Sequence, residues 1–183
     1  FLLLIFMREK GLDYTGIGIL YAIRFILRMV FEIPSGIAAD AMGRKGVMLF
    51  SYGCYMLSFL GYYLAPDFSW LVLPTLAFAL GDAFRTGTHK AMIFSYLKRN
   101  GWQEAKTDYY GHTRAWSQTG SALSSLLAAA FVLLADSYNA IFLLSLAPYT
   151  FGFILLATYP SYLNGKVHPS GPLSTVLKEF KKV

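Results

Sequence analysis

Five long apolar stretches separated by short polar connections run along the chain. They read as helices over about 16–45, 46–65, 69–97, 115–135 and 140–159. At about 1.5 Å per residue, each is long enough to cross a hydrocarbon layer about 30 Å thick. Residues 1–6, FLLLIF, are too short to span anything and read as the end of a first helix that begins before Phe1. Beyond residue 165 the pattern changes. Leu173, Val176, Leu177 and Phe180 recur at helical spacing among Lys178, Lys181 and Lys182. With Pro172 as a start signal, this predicts an amphipathic helix on the cytoplasmic leaflet. The division is thus a transmembrane bundle over 1–165 and a basic cytoplasmic linker over 166–183.

The crossings differ in what interrupts them. Arg24, Arg28 and Glu32 lie inside the second, and Asp82, Arg85, His89 and Lys90 inside the fourth. A charge at the centre of a membrane helix costs about 2.5–3.5 kcal/mol, so unpaired the six charged groups, neutral His89 apart, would together cost on the order of 10 kcal/mol or more. They must pair or meet water. Both helices run in the same direction, and matched depth puts Arg28 level with Asp82, and Glu32 level with Arg85 and His89. Arg28–Asp82 and Glu32–Arg85 are the expected ion pairs. The third helix carries no charge and is expected to face lipid. The fifth repeats small residues at spacing four, Gly120, Ser124 and Ala128 beside Ser121, Ser125 and Ala129, and is expected to pack on protein along much of its length. Pro148 predicts a kink in the sixth.

Composition supports the membrane reading: 56% of residues are hydrophobic and 14% charged, outside ordinary soluble usage. The net charge of +6 is a matter of sidedness. Ten of the 16 Lys and Arg fall in connections on one side, two (Arg8 and Lys10) on the other, and four within the crossings. This is the positive-inside distribution of a multi-pass cell-membrane protein with cytoplasmic basic loops, not a nucleic-acid surface. Cys54 is the single cysteine, so no disulfide framework exists. His89, His112 and His168 are far apart and no HExxH spacing occurs, so no metal, cofactor or catalytic set is expected.

The second helix ends in Gly36, Asp40, Gly43, Arg44 and Lys45, a GxxxD..GRK pattern opening directly into the next helix. Gly36 suits close backbone approach, Gly43 a tight reversal, and the two cations fix the cytoplasmic side. The pattern resembles motif A of the major facilitator superfamily. The resemblance implies an all-α integral membrane fold: the N-terminal six-helix bundle of a twelve-helix transporter, first helix truncated, with a C-terminal six-helix half as partner. It further implies a secondary transporter that moves a small-molecule solute through membrane lipids by alternating access with proton coupling. Motif A would then act as a conformational element, Asp40 engaging a helix end of the other half. The family commonly offers Arg44 a carboxylate near the end of the fourth helix, where this chain has Ser95.

The intramembrane charges, Asp82, Arg85, His89, Arg28 and Glu32, are the candidate substrate or proton path, against the alternative that they only hold two helices in register. Counted together with Arg24 and Lys90, the groups within the two crossings leave an excess of positive charge, which favours an anionic or zwitterionic solute. A transporter-like sensor or structural protein without transport is the competing function.

Overall fold

The computed structural model describes residues 2–135 and 138–164; the expected linker helix over 166–183 lies outside them. Helices α1 (Leu2–Glu9), α2 (Tyr14–Met42), α3 (Arg44–Leu64), α4 (Val72–Arg99), α5 (Lys106–Ala135) and α6 (Ala140–Ala157) account for nearly all of it. Short 3₁₀ turns at Phe68–Leu71 and Ser161–Asn164 complete the set. No strand occurs among the described residues.

Local chemistry sets the helix ends. Asp13 accepts the Gly16 N–H at 2.8 Å and caps α2, and Asp67 accepts that of Ser69 at 3.0 Å, each satisfying an amide that a helix start leaves without a partner. Gly43 holds the α2–α3 turn at φ +83°, a conformation that a side chain would strain. The wet loop expected up to residue 114 is shorter than the sequence suggests. Helix α5 already starts at Lys106, and His112 and Thr113 bond back to the carbonyls of Asp108 and Tyr109 at 2.8 Å. Helix α6 continues through Pro148.

Helices α3, α5 and α6 are long and apolar enough in themselves to cross a membrane. Helices α2 and α4 reach 29 and 28 residues but carry the charges.

The core contradicts the expectation that α3 faces lipid. Helix α3 is the centre of the bundle, packed chiefly on α4 and α6, with Val47, Met48, Ser51, Tyr55, Ser58 and Tyr62 buried. Its hydroxyls explain why. Ser51 Oγ donates to the Gly81 carbonyl at 2.6 Å and Ser58 Oγ to that of Pro74 at 2.7 Å. Tyr62 and Thr75 share a hydroxyl bond of 2.9 Å. Residues 51, 55, 58 and 62 form one helical stripe, and lipid would leave those hydroxyls without partners. At one end Phe6, Phe59, Tyr62 and Phe142 fill the core. At the other, Met48, Met92, Leu156 and Leu163 do.

Helix α5 departs from expectation in the opposite sense. Residues 115–127 are all exposed, and a Cβ on Gly120 would meet nothing within 4 Å among the described residues. Ser124 and Ser125 bond to their own helix, at 2.8 and 2.9 Å. Small residues permit close approach without driving it.

Candidate functional site

The polar cluster forms where the middle of α4 crosses α2. Asp82 is the hub, 9% exposed. Arg28 Nη1 donates to its Oδ2 at 3.3 Å, Arg24 Nη2 stands 3.8 Å from the same oxygen, and the Tyr55 hydroxyl donates to Oδ1 at 3.1 Å. One carboxylate therefore holds α2 through two guanidiniums and α3 through a phenol. No buried side-chain polar atom among the described residues lacks a hydrogen-bond partner.

Of the expected pairs, the structure brings Arg28 to Asp82 but not Glu32 to Arg85. Asp82 takes a second guanidinium besides the expected one: Arg24 lies one turn before Arg28 on the same face of α2, and a carboxylate has lone pairs enough for both. Arg85 lies near the ring of Tyr55, 5.7 Å from its centroid, and Arg24 stacks over Phe78 at 4.0 Å, arrangements in which the ring faces attract the cations. Glu32 is exposed and forms no ion pair among the described residues. His89 lies away from the hub. It lines a cavity of about 330 Å³ between α3, α4 and α6, with Met48, Tyr52, Met92 and Tyr96.

The motif after α2 works as a fastening. Arg44 Nη1 donates to the Ala91 carbonyl at 3.0 Å and to the Ser95 hydroxyl, both on α4. Ser95 thus takes the position of a carboxylate, with a neutral acceptor. Lys45 Nζ donates to the carbonyls of Ala157 and Tyr159 at 2.6 and 2.8 Å. A cation there satisfies acceptors that the end of α6 leaves open and complements its dipole. The Lys45 N–H donates to Asn164 Oδ1 at 3.0 Å, and a Cβ on Gly43 would lie 3.1 Å from the same side chain. Gly36 does not meet the expectation of close backbone approach, because a Cβ there would touch nothing within 4 Å among the described residues. Asp40 is exposed, with no ion pair among them.

The family profile of the Major Facilitator Superfamily matches residues 1–182. The chain belongs to this superfamily. Over 90 residues it is 26% identical to the uncharacterized MFS-type transporter YxaM of Bacillus subtilis (strain 168). That match covers 49% of this chain and 23% of the relative, so the chain spans well under two thirds of that protein. No solved structure matches. Membership makes the α-helical bundle that of a multi-pass membrane protein.

Within this superfamily member, sequence reasoning missed two residues of the cluster. Arg24 was visible as an intramembrane charge but had no carboxylate assigned to it. Tyr55 was hidden because α3 carries four tyrosines and a Tyr in an apolar helix reads as packing; the signal was its place in the 51–55–58–62 hydroxyl stripe.

The triple contact changes what a charge-swap experiment should give. Exchanging Arg28 and Asp82 sets the new guanidinium at position 82 against Arg24, so the double swap R28D/D82R is expected to recover only part of the stability that either single change loses. Adding Arg24→Gln should recover more. Thermal unfolding of the four variants in lipid nanodiscs checks this, and full recovery by the double swap alone would assign Arg24 no part in the cluster.

Proposed function

We propose that this chain is the N-terminal six-helix half of a twelve-helix secondary transporter. It moves a small solute by alternating access with proton coupling, working against a C-terminal six-helix half. The cluster of Asp82, Arg24, Arg28 and Tyr55 carries the reading. Ion pairs at the mid-length of membrane helices are costly, and proteins that retain them use them on solute or proton paths. Asp82 is the acid in that set and the proposed proton carrier. Arg28 and Arg85 line the solute path, with Glu32 and His89 towards its cytoplasmic end. The fastening of the α2–α3 turn to α4 and α6 by Arg44 and Lys45 supports movement of the bundle as one body, as rocking requires.

Asp40, exposed beside that fastening, is the proposed contact with the other half. A carboxylate at a helix N-terminus contributes about 0.3–1 kcal/mol, more when partly buried. Asp40→Asn is expected to slow solute exchange several-fold while leaving thermal stability unchanged. The measurement is counterflow by the full protein in proteoliposomes, with solutes from a cell extract identified by mass spectrometry. Exchange by Asp40→Asn at the wild-type rate would remove its conformational role, and binding without exchange by the wild type would remove the transport reading itself.

A further inference from the structure

Around Asp82 the charges do not balance. Arg24, Arg28 and Arg85 all lie by it or one turn away, and it is the single carboxylate in ion-pair contact with any of them among the described residues. Three positive charges against one negative leave an excess of two. Glu32, a turn beyond Arg28 on α2, pairs with none of them, and counting it in full still leaves one positive charge over. Stacking on Phe78 and the approach to Tyr55 soften the field of Arg24 and Arg85, but a ring face cancels no charge.

The exposures arrange these groups in depth. The Asp82 side chain is 12% exposed, those of Arg24 and Arg28 are 29% and 43% exposed, and Arg85 is exposed. The carboxylate is the buried member of the set and the guanidiniums are the accessible ones. A guanidinium offers five N–H donors in a planar fork that fits two oxygens of one anion, which an ammonium does not. Asp82 occupies one Nη of Arg28 and leaves its other donors. Arg85 spends none on a carboxylate among the described residues.

We propose that the solute is a small oxyanion, carrying a carboxylate or phosphate group, bound by Arg28 and Arg85 in front of Asp82. This rests on the transporter reading and names the substrate class of the same site. Asp82 holds Arg28 in place and offsets part of its charge, so the anion meets an attractive site without being held too tightly to leave. Arg85 is the specificity-determining group because it is the guanidinium without a carboxylate of its own.

The experiment measures the unfolding temperature of the full protein in nanodiscs of uncharged lipid. Sodium succinate, sodium phosphate and choline chloride are titrated against sodium chloride at constant ionic strength. One or both oxyanions are expected to raise the temperature saturably and choline not at all, and the comparison of succinate with phosphate tells a carboxylate site from a phosphate site. Arg85→Gln is expected to weaken the oxyanion effect tenfold or more, the loss of a charged hydrogen bond, and Arg85→Lys to weaken it less. Stabilisation by neither oxyanion, equal stabilisation by choline, or an effect unchanged in Arg85→Gln would each overturn the proposal. Oxyanion binding without counterflow would instead remove the transport reading and leave the anion site standing. Counterflow of a neutral or cationic solute, insensitive to both oxyanions, would do the reverse.

Discussion

Asp82→Ala is expected to destabilise the protein by about 3 kcal/mol and to abolish solute exchange. Removing one partner of a buried ion pair costs about 3–5 kcal/mol, because the charge left behind has lost its compensation. The lower end applies, since Arg24 and Arg28 are 29% and 43% exposed in their side chains and keep some access to water. The Tyr55 hydroxyl also loses its acceptor inside the core. Asp82→Asn keeps the shape and an oxygen for Tyr55 but not the charge, and is expected to cost roughly half as much while still stopping exchange. Thermal unfolding in nanodiscs measures the first quantity and counterflow the second. An Asp82→Asn protein that exchanges solute normally would reduce the cluster to a device for holding helices in register.

The second large effect is expected where α3 and α4 meet. A Cβ on Gly81 would lie 3.1 Å from the Ser51 carbonyl oxygen and 3.3 Å from the Tyr55 ring. Gly81→Leu has no space, and forcing extra carbons into a packed contact costs about 1–3 kcal/mol. The helices must also part, which stretches the Ser51–Gly81 and Ser58–Pro74 hydrogen bonds. The total is expected near 3 kcal/mol, adding about 1 kcal/mol for the weakened bonds. Gly36→Leu is the comparison. With nothing within 4 Å of its Cβ position among the described residues, it is expected to change stability by less than about 0.5 kcal/mol. Equal losses at the two glycines would contradict the tight α3–α4 contact.

These two sites also mark how far the sequence could be read. Charges on an apolar background are conspicuous, and depth along two helices running the same way was enough to match Arg28 with Asp82. Matching residues one to one then failed, because Asp82 accepts from several donors at once and Arg24 had no separate signal. Hydroxyl groups are quiet by comparison. Ser51, Ser58 and Tyr62 barely disturb an apolar pattern, so the absence of charge made α3 look like a lipid-facing helix, whereas its hydroxyls bond to α4, the two serines to backbone carbonyls and Tyr62 to the Thr75 hydroxyl. The small-residue stripe of α5 stays exposed over most of its length among the described residues, since spacing records which contacts are allowed and not which form. The turn after α2 was legible in its residue types. Gly43 reverses the chain as read, but the partners of Arg44 and Lys45 belong to helices distant in sequence and could not be read from the motif.

The α2–α3 turn has a mechanical consequence. Through Arg44 it is tied to one neighbouring helix and through Lys45 and Asn164 to another, so a torque on α2 at this end is delivered to three other helices together. The tie is made largely to main-chain oxygens, which are present whatever side chain surrounds them. Drift in the neighbouring sequence can therefore alter what the bundle carries without loosening the joint by which it swings.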